Sequence, residues 1–197
     1  MTAFNPPSYA SAMTAAKRLA LYEDLFDLPE NMVGEIIDGQ LYTHPRPAPA
    51  HAQASSCLGA DLGQPFGRSR GGPGGWWILD EPELHLGADI FVPDLAGWRR
   101  ESMPALPGTA WFEMAPDWVC EVLSPATART DRALKLPRYA AAGVAHCWLI
   151  DPDIRTLEAY INQDGHWLLL GTSAGDDQAA IDPFAAVTLD LSGLWVD

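Results

Sequence analysis

Three carboxylates in this 197-residue chain stand where solvation does not explain them: Glu35, Asp94 and Glu121, each in a strand-like run of apolar residues. Glu121 interrupts Trp118-Val119-Cys120-Glu121-Val122-Leu123, and alternation in Ala88–Trp98 puts Asp94 in a row with Ile90, Val92, Ala96 and Trp98. An unpaired buried carboxylate costs several kcal/mol, so each needs a cation, a hydrogen-bond network or a place at a sheet edge. A divalent metal would meet that need. Hard cations such as magnesium take carboxylate oxygens plus waters, and two carboxylates on adjacent strands are enough to anchor one between protein and phosphate. A nearby lysine could then orient or deprotonate the attacking water and offset charge developing on the phosphoryl group. Lys135 is the only lysine after residue 17.

Each of these residues also has a plainer reading. Glu35 fits an edge-strand charge that discourages aggregation. Asp131 and Lys135, spaced i,i+4, fit a solvent-exposed helix pair worth about a few tenths of a kcal/mol. His51, beside a helix start, is more simply a satisfied or exposed histidine and is kept as an accessory candidate. Trp76-Trp77 is more simply core or a dimer surface than a base-stacking platform, because nothing basic interleaves it. The glycine-rich stretch Arg68–Gly75 has neither the Lys-Ser/Thr ending of a P-loop nor the spacing of a dinucleotide fingerprint, so a turn is expected there.

The elements that must position these residues centre on Trp118–Asp151. A strand through Glu121, a helix through Asp131, Lys135 and Tyr139, and a second strand His146–Asp151 form a parallel crossover unit, which requires a sheet covered by helices. Upstream, Ala15, Leu19, Tyr22 and Phe26 recur at helical spacing, with Thr14 as N-cap and Pro29 as terminator. Asp38-Gly39 is a tight hairpin turn between two strand-like halves, Gly34–Ile37 and Gln40–Tyr42. A second helix is expected from His51 to about Phe66, burying Ala54, Cys57, Leu58 and Leu62. Trp76–Leu86, interrupted near Pro82, reads as a strand paired across Gly87 with Ala88–Trp98. Asp164-Gly165 turns Thr156–Ile161 into Trp167–Leu170, and a last strand is expected at Ala186–Leu191.

Length suits one domain, expected over 14–197 behind a loose tail at 1–13. No apolar run approaches the roughly 20 residues of a membrane span, and the N-terminus has no charged-then-apolar signal pattern, so a cytoplasmic location is expected. Three cysteines without a CxxC pair read as buried thiols. The formal charge of −14 opposes generic adhesion to DNA or anionic membranes. Locally the balance differs: Arg129, Arg132, Lys135 and Arg138 flank the candidate site, and Arg99 and Arg100 follow the Asp94 strand as possible phosphate contacts.

Pro93-Asp94, then Glu121-Val122-Leu123-Ser124-Pro125, Asp131, Lys135, Tyr139, Gly143-Val144 and Trp148-Leu149-Ile150-Asp151-Pro152, with Glu35-Ile36-Ile37-Asp38-Gly39 and His51 upstream, resemble the Uma family of bacterial restriction-endonuclease-like proteins, within the PD-(D/E)xK nuclease superfamily. The usual superfamily lysine, two residues after the glutamate, is Leu123 in this chain; the Uma pattern takes it from the next helix, which fits Lys135. From a helix start near Thr130, Lys135 lies about 7 Å along the axis, within a long side chain's reach of the strand end. Gly34 stands where the family commonly has a larger residue, and Pro137 is expected to kink the helix. The resemblance implies an α/β fold with a mixed, curved sheet flanked by helices, restriction-endonuclease-like, and metal-dependent hydrolysis of phosphodiester bonds, most plausibly in DNA. Asp94, Glu121 and the Val122 carbonyl would hold Mg or Mn, Lys135 would position water, and Glu35 would assist. It also implies a homodimer. The alternative is a catalytically inactive nuclease fold serving as a dimeric binding or regulatory module, which the acidic charge and the missing strand lysine favour.

Overall fold

The computed structural model describes residues 18–196; the tail expected over residues 1–13, and Thr14 and Ala15, lie outside them. Of the first expected helix only a 3-10 turn at Tyr22–Leu25 is present among the described residues. Leu19 and Phe26 are 66% and 70% exposed, so of the stripe only Tyr22 packs on the body of the protein, against His85 and Trp111, and a short helix without a buried face is marginal. Tyr22 instead donates to Glu83 at 2.8 Å. The segment closes over strand β1 (Met32–Ile37) at Gly34, where a Cβ would collide with Leu25 and Leu28. The small residue before Glu35 therefore has a packing reason.

Asp38 and Gly39 take positive φ, 54° and 65°, and join β1 to β2 (Gln40–Pro45) in an antiparallel hairpin. This is the geometry of a tight two-residue turn. Helix α1 (Pro49–Leu62) begins on a proline, whose missing N–H costs nothing at that position, and buries Ala54, Leu58 and Leu62. Its expected last turn is instead a π-turn, Gly63–Gly67, in which Arg68 N–H bonds to the Gly63 carbonyl around Pro65.

The long hairpin expected from Trp76 to Trp98 is divided between two sheets. Strands β3 (Trp76–Asp80) and β6 (Leu95–Arg99) pair at Trp76↔Arg99 through Asp80↔Leu95, while β4 (Leu84–Leu86) and β5 (Asp89–Phe91) pair at Leu84↔Phe91 through Leu86↔Asp89. The register is continuous across the gap and sets Pro82 opposite Pro93. Neither ring nitrogen can donate, so the ladder breaks there and the hairpin passes from one sheet to the other. Asp94 sits at that break.

Strand β7 (Trp118–Val122) is followed by α2 (Ala128–Thr130), a π-turn (Asp131–Lys135), α3 (Leu136–Ala141) and β8 (His146–Asp151). β7 and β8 are parallel, Glu121 beside Leu149, as a crossover unit demands. β9 (Thr156–Gln163) and β10 (His166–Ala174) complete a six-stranded mixed sheet in the order β10-β9-β8-β7-β6-β3. A second, antiparallel sheet has the order β2-β1-β5-β4. The strand expected at Ala186–Leu191 reduces to β12 (Leu189–Asp190) against β11 (Gln178–Ala179), because Phe184, Leu191 and Leu194 plug the core individually instead of alternating along a ladder. No helix among the described residues is long and apolar enough to cross a membrane.

Alternation along β7 divides the core. Trp118, Cys120 and Val122 face α1 and the C-terminal segment, while Val119 and Leu123 face α3 and the second sheet. The central sheet thus has a helix on each face, and Glu121, of the second parity, points to the α3 side. Cys120 and Cys147 are buried thiols and Cys57 is half-buried; all three are free. On the α1 side Phe184 packs its ring against Phe66, Trp76 and Trp118 at centroid distances of 4.8, 4.8 and 5.0 Å. Phe184→Ala should lower stability by roughly 3–5 kcal/mol, measured as a shifted urea midpoint at unchanged slope.

Candidate active site

Continuing the β6/β7 register by one residue from Leu95↔Cys120 sets Asp94 opposite Glu121. The proline break releases Asp94 from the ladder, and its Oδ2 accepts the Val122 N–H at 2.7 Å, capping the strand end. Its other oxygen, Oδ1, lies 3.2 Å from His51 Nε2, on the first turns of α1. Both carboxylates open on one cavity of about 260 Å³, whose wall also includes His51, Asp131 and Lys135. Val122 itself is not on that wall; its N–H serves Asp94.

Lys135 reaches the site from the helical crossover. Its Nζ is 2.8 Å from Glu121 Oε1, 2.9 Å from Glu35 Oε1 and 3.7 Å from Asp131 Oδ1. The reach depends on the π-turn, in which Leu136 N–H bonds to the Asp131 carbonyl, five residues back. Pro137 follows at once; it cannot donate a helical hydrogen bond and crowds the preceding turn, and the wider π-turn relieves both demands. The kink expected at Pro137 is thus the device that turns Lys135 and Asp131 inward together.

Glu35 is 2% exposed on β1, between β2 and β5, so it is not an edge charge. Its Oε1 also accepts the Val92 N–H at 2.8 Å, and it stands behind Lys135, off the cavity wall. Asp131 and Lys135, 4% and 2% exposed, are not a surface pair. Two further side chains complete the group. Tyr139 donates to Glu121 Oε1 at 2.6 Å, and His51 Nδ1 is buried with no hydrogen-bond partner among the described residues. Tyr139 was legible as two turns' reach along the helix from Asp131; the burial of Asp131 had no signal beyond its i,i+4 spacing.

The electrostatics follow from a surplus of carboxylates. Burial alone would lower the Lys135 ammonium, but Glu121, Glu35 and Asp131 overturn that and hold it well above its ordinary value. Burial pushes Glu121 well up, and repulsion from Asp131, Asp94 and Glu35 adds to this against the opposing pull of Lys135. Asp131 rises chiefly through burial. Burial would lower His51, yet the Asp94 carboxylate more than offsets it, so the imidazole is drawn towards protonation. Of the flanking arginines, Arg132 is paired with Glu158 at 2.8 Å and Arg138 with Asp89 at 3.0 Å. Arg99 and Arg100 lie at the other end of β6, roughly 17 Å from Asp94 at about 3.3 Å per residue, and so do not serve this cavity.

Both Asp94 and Glu121 offer hard oxygen donors, and the contacts on Glu121 all fall on Oε1, so its Oε2 takes no bond from the described residues. Among those residues no group of three or more His, Cys, Asp or Glu converges as a ready-made metal cage. The donor set therefore fits a cation that keeps waters or phosphate oxygens in most positions, as magnesium does. Lys135→Met should destabilise the fold by about 3–5 kcal/mol, because three carboxylates lose their buried cation. Acids raised in the folded state bind more protons than the unfolded chain above about pH 4. The deficit of the variant should therefore be larger at pH 7 than at pH 5 in urea titrations.

No curated protein matches the chain. Among solved structures, one described as a "putative nuclease belonging to DUF820" from Anabaena variabilis ATCC 29413 superposes with a TM-score of 0.68 at 24% identity. That match covers 87% of this chain and 95% of the other, and it shows a shared fold. A family model described as "Uma2: Putative restriction endonuclease" matches residues 22–192, a span from the Tyr22 turn through β12 that includes every residue of the cavity. The chain belongs to the Uma2 family of restriction-endonuclease-like proteins.

Proposed function

We propose that this protein is a metal-dependent endonuclease that hydrolyses phosphodiester bonds in DNA, acting in the cytoplasm as a homodimer. The observation that carries this reading is the shared cavity: Asp94 and Glu121, side by side in strand register, with the Lys135 ammonium 2.8 Å from Glu121. Asp94 and Glu121 would hold magnesium or manganese; the Val122 carbonyl, expected as a further ligand, does not line the cavity. A cation bound there supplies Lewis-acid polarisation of a phosphoryl oxygen.

The chain's own groups divide the remaining work. Lys135 is held protonated by its carboxylate partners, so it suits orienting water and offsetting phosphoryl charge, not removing a proton. Glu35, anchored to Val92 N–H, fixes the lysine from behind. Tyr139 keeps Glu121 Oε1 occupied and so orients the carboxylate, and His51 does the same for Asp94. The homodimer has its support in β10, an edge strand on which Leu168, Leu169 and Leu170 are 44–50% exposed. Exposed apolar edges of this kind invite strand pairing with a second copy.

One observation favours a different reading, a nuclease fold without catalysis. Lys135 is already engaged by three carboxylates and 2% exposed, so its ammonium is committed within the protein and not turned to a substrate. Calorimetric titration separates the two: the endonuclease should bind manganese and Asp94→Ala should abolish binding, whereas no binding by the wild type selects the inactive fold. With manganese the wild type should nick supercoiled plasmid, and Glu121→Ala should lower the rate by at least about a hundredfold; equal cutting by the variant sinks the catalytic assignment. Leu169→Lys should convert a sedimenting dimer to a monomer.

A further inference from the structure

Eight of the ten arginines of this acidic chain fall into two groups; Arg129, exposed and without an ion pair among the described residues, lies apart on α2. Arg18, Arg46, Arg132 and Arg138 are each ion-paired with an aspartate or glutamate. Arg68, Arg70, Arg99 and Arg100 are all exposed and make no ion pair among the described residues, although the chain carries 26 acids. These four lie together. The β3/β6 register sets Trp76 beside Arg99, whose guanidinium lies 4.5 Å from the Trp76 ring centroid, and Arg100 lies 3.8 Å from that of Trp77. Arg100 also donates to the Trp76 and Gly67 carbonyls at 3.3 and 3.2 Å, which ties it to the π-turn that carries Arg68. Arg70 N–H bonds to the Gln64 carbonyl of the same turn. The tryptophan pair, which nothing basic accompanies in sequence, is thus covered by two arginines in space.

Arg68 and Arg100 face a cavity of about 520 Å³ bounded by the small residues of α1 and by the open edge of β3. It lies end to end with the carboxylate cavity. Asp80 borders the one and its neighbour Glu81 the other, while α1 supplies His51 to the first and Gly59 and Gly63 to the second. The separation along β6 is roughly 17 Å, which equals about five base-pair steps of 3.4 Å. Stacking on the indoles and, for Arg100, carbonyl hydrogen bonds hold the Arg99 and Arg100 guanidinium groups in place, so these two lose little side-chain entropy on meeting an anion. Four clustered arginines without ion pairs, two of them held in place, suit a polyanion of repeating spacing, and phosphodiester backbone has it.

We propose that this arginine-lined cavity anchors the phosphate backbone of the same nucleic acid whose reacting phosphate enters the Asp94/Glu121 cavity. The proposal rests on the nuclease reading for the second half of that statement, while its own content is binding and needs no chemistry. It also explains how a chain of charge −14 would hold DNA: four unpaired arginines concentrate the contact at one end of α1.

The test is fluorescence anisotropy with a labelled duplex of about 20 base pairs and a single strand of the same length, in chelator so that cutting cannot intervene. Arg68→Gln/Arg70→Gln should weaken binding about tenfold and reduce the slope of log K against log salt by about two for the duplex, or somewhat less for the single strand. These two side chains make no internal ion pair, so folding should survive. Asp80→Asn, on the wall of the cavity, should tighten binding, a gain that damaged folding cannot mimic. Arg132→Gln, which removes one positive charge elsewhere, should change affinity less than twofold. An unchanged salt slope in the double variant overturns the proposal. Capture of polyglutamate with the same arginine dependence also overturns it, in favour of an acidic protein partner. Manganese-dependent nicking measured on the same proteins keeps the two readings apart. Arginine-dependent binding without cutting sinks the catalysis alone, and cutting with arginine-independent binding sinks this site alone.

Discussion

The buried ammonium of Lys135 is the constraint on which the rest of the site depends. A lone ammonium in that position would be driven to neutrality, and three carboxylates without it would be too. Each makes the other tolerable. The partners come from separate pieces of chain: Glu35 from β1 of the second sheet, Glu121 from β7 of the first, and Asp131 from the turn that carries the lysine itself. The ion cluster therefore acts as a cross-link between the two sheets and the crossover helix. It also adds to the pairing of β1 with β5 at Ile36↔Ile90, since Glu35 bonds to both Lys135 and the Val92 N–H beyond β5.

Three backbone irregularities bear on the two cavities, and each has a proline beside it. Pro82 facing Pro93 breaks a hairpin that would otherwise run unbroken, and the break lets Asp94 turn its carboxylate to the Val122 N–H. Pro137 forces the wide turn that brings Asp131 and Lys135 to one inward face. Pro65 does the same for the exit of α1, where Arg68 leaves the helix. A regular ladder and a regular helix would bury the same apolar residues but send these polar ones elsewhere. Positioning here is achieved by withholding backbone donors at chosen points, at the cost of a few hydrogen bonds.

What could be read from the sequence follows the range of the physics involved. Asp38-Gly39, the parallel strands around Glu121 and Trp148, and the inward parity of Glu121 are set by neighbours within a few residues, and all were legible. Lys135 was legible through resemblance and helix rise. The division of Trp76–Trp98 between two sheets was not, because each proline alone reads as an interruption and only their mutual register makes a boundary. The burial of Asp131 was hidden for a related reason: i,i+4 spacing describes an α-helix, and a π-turn changes which face those positions share. Arg99 on Trp76 depends on strand pairing over 23 residues, beyond any local pattern. The first helix failed in the opposite direction, since Leu19, Tyr22 and Phe26 have the right period but only Tyr22 meets a surface to pack against.

The surplus of negative charge ties the two cavities to one argument. With Glu35, Glu121, Asp131 and Asp94 set against Lys135 and His51, the first cavity repels a phosphate unless a cation enters. Such a site binds a polyanion weakly by itself, and affinity must come from elsewhere on the surface. The unpaired arginines beside β3 are placed where that affinity is needed: far enough from the carboxylates that neither quenches the other, and close enough to share one backbone. Had those arginines stood beside Glu121, they would have formed the ion pairs that Arg132 and Arg138 make, and their charge would have gone to stability instead of recognition. Separation of the two charge clusters, with α1 passing along both cavities, thus keeps carboxylates and arginines from quenching one another in an acidic protein.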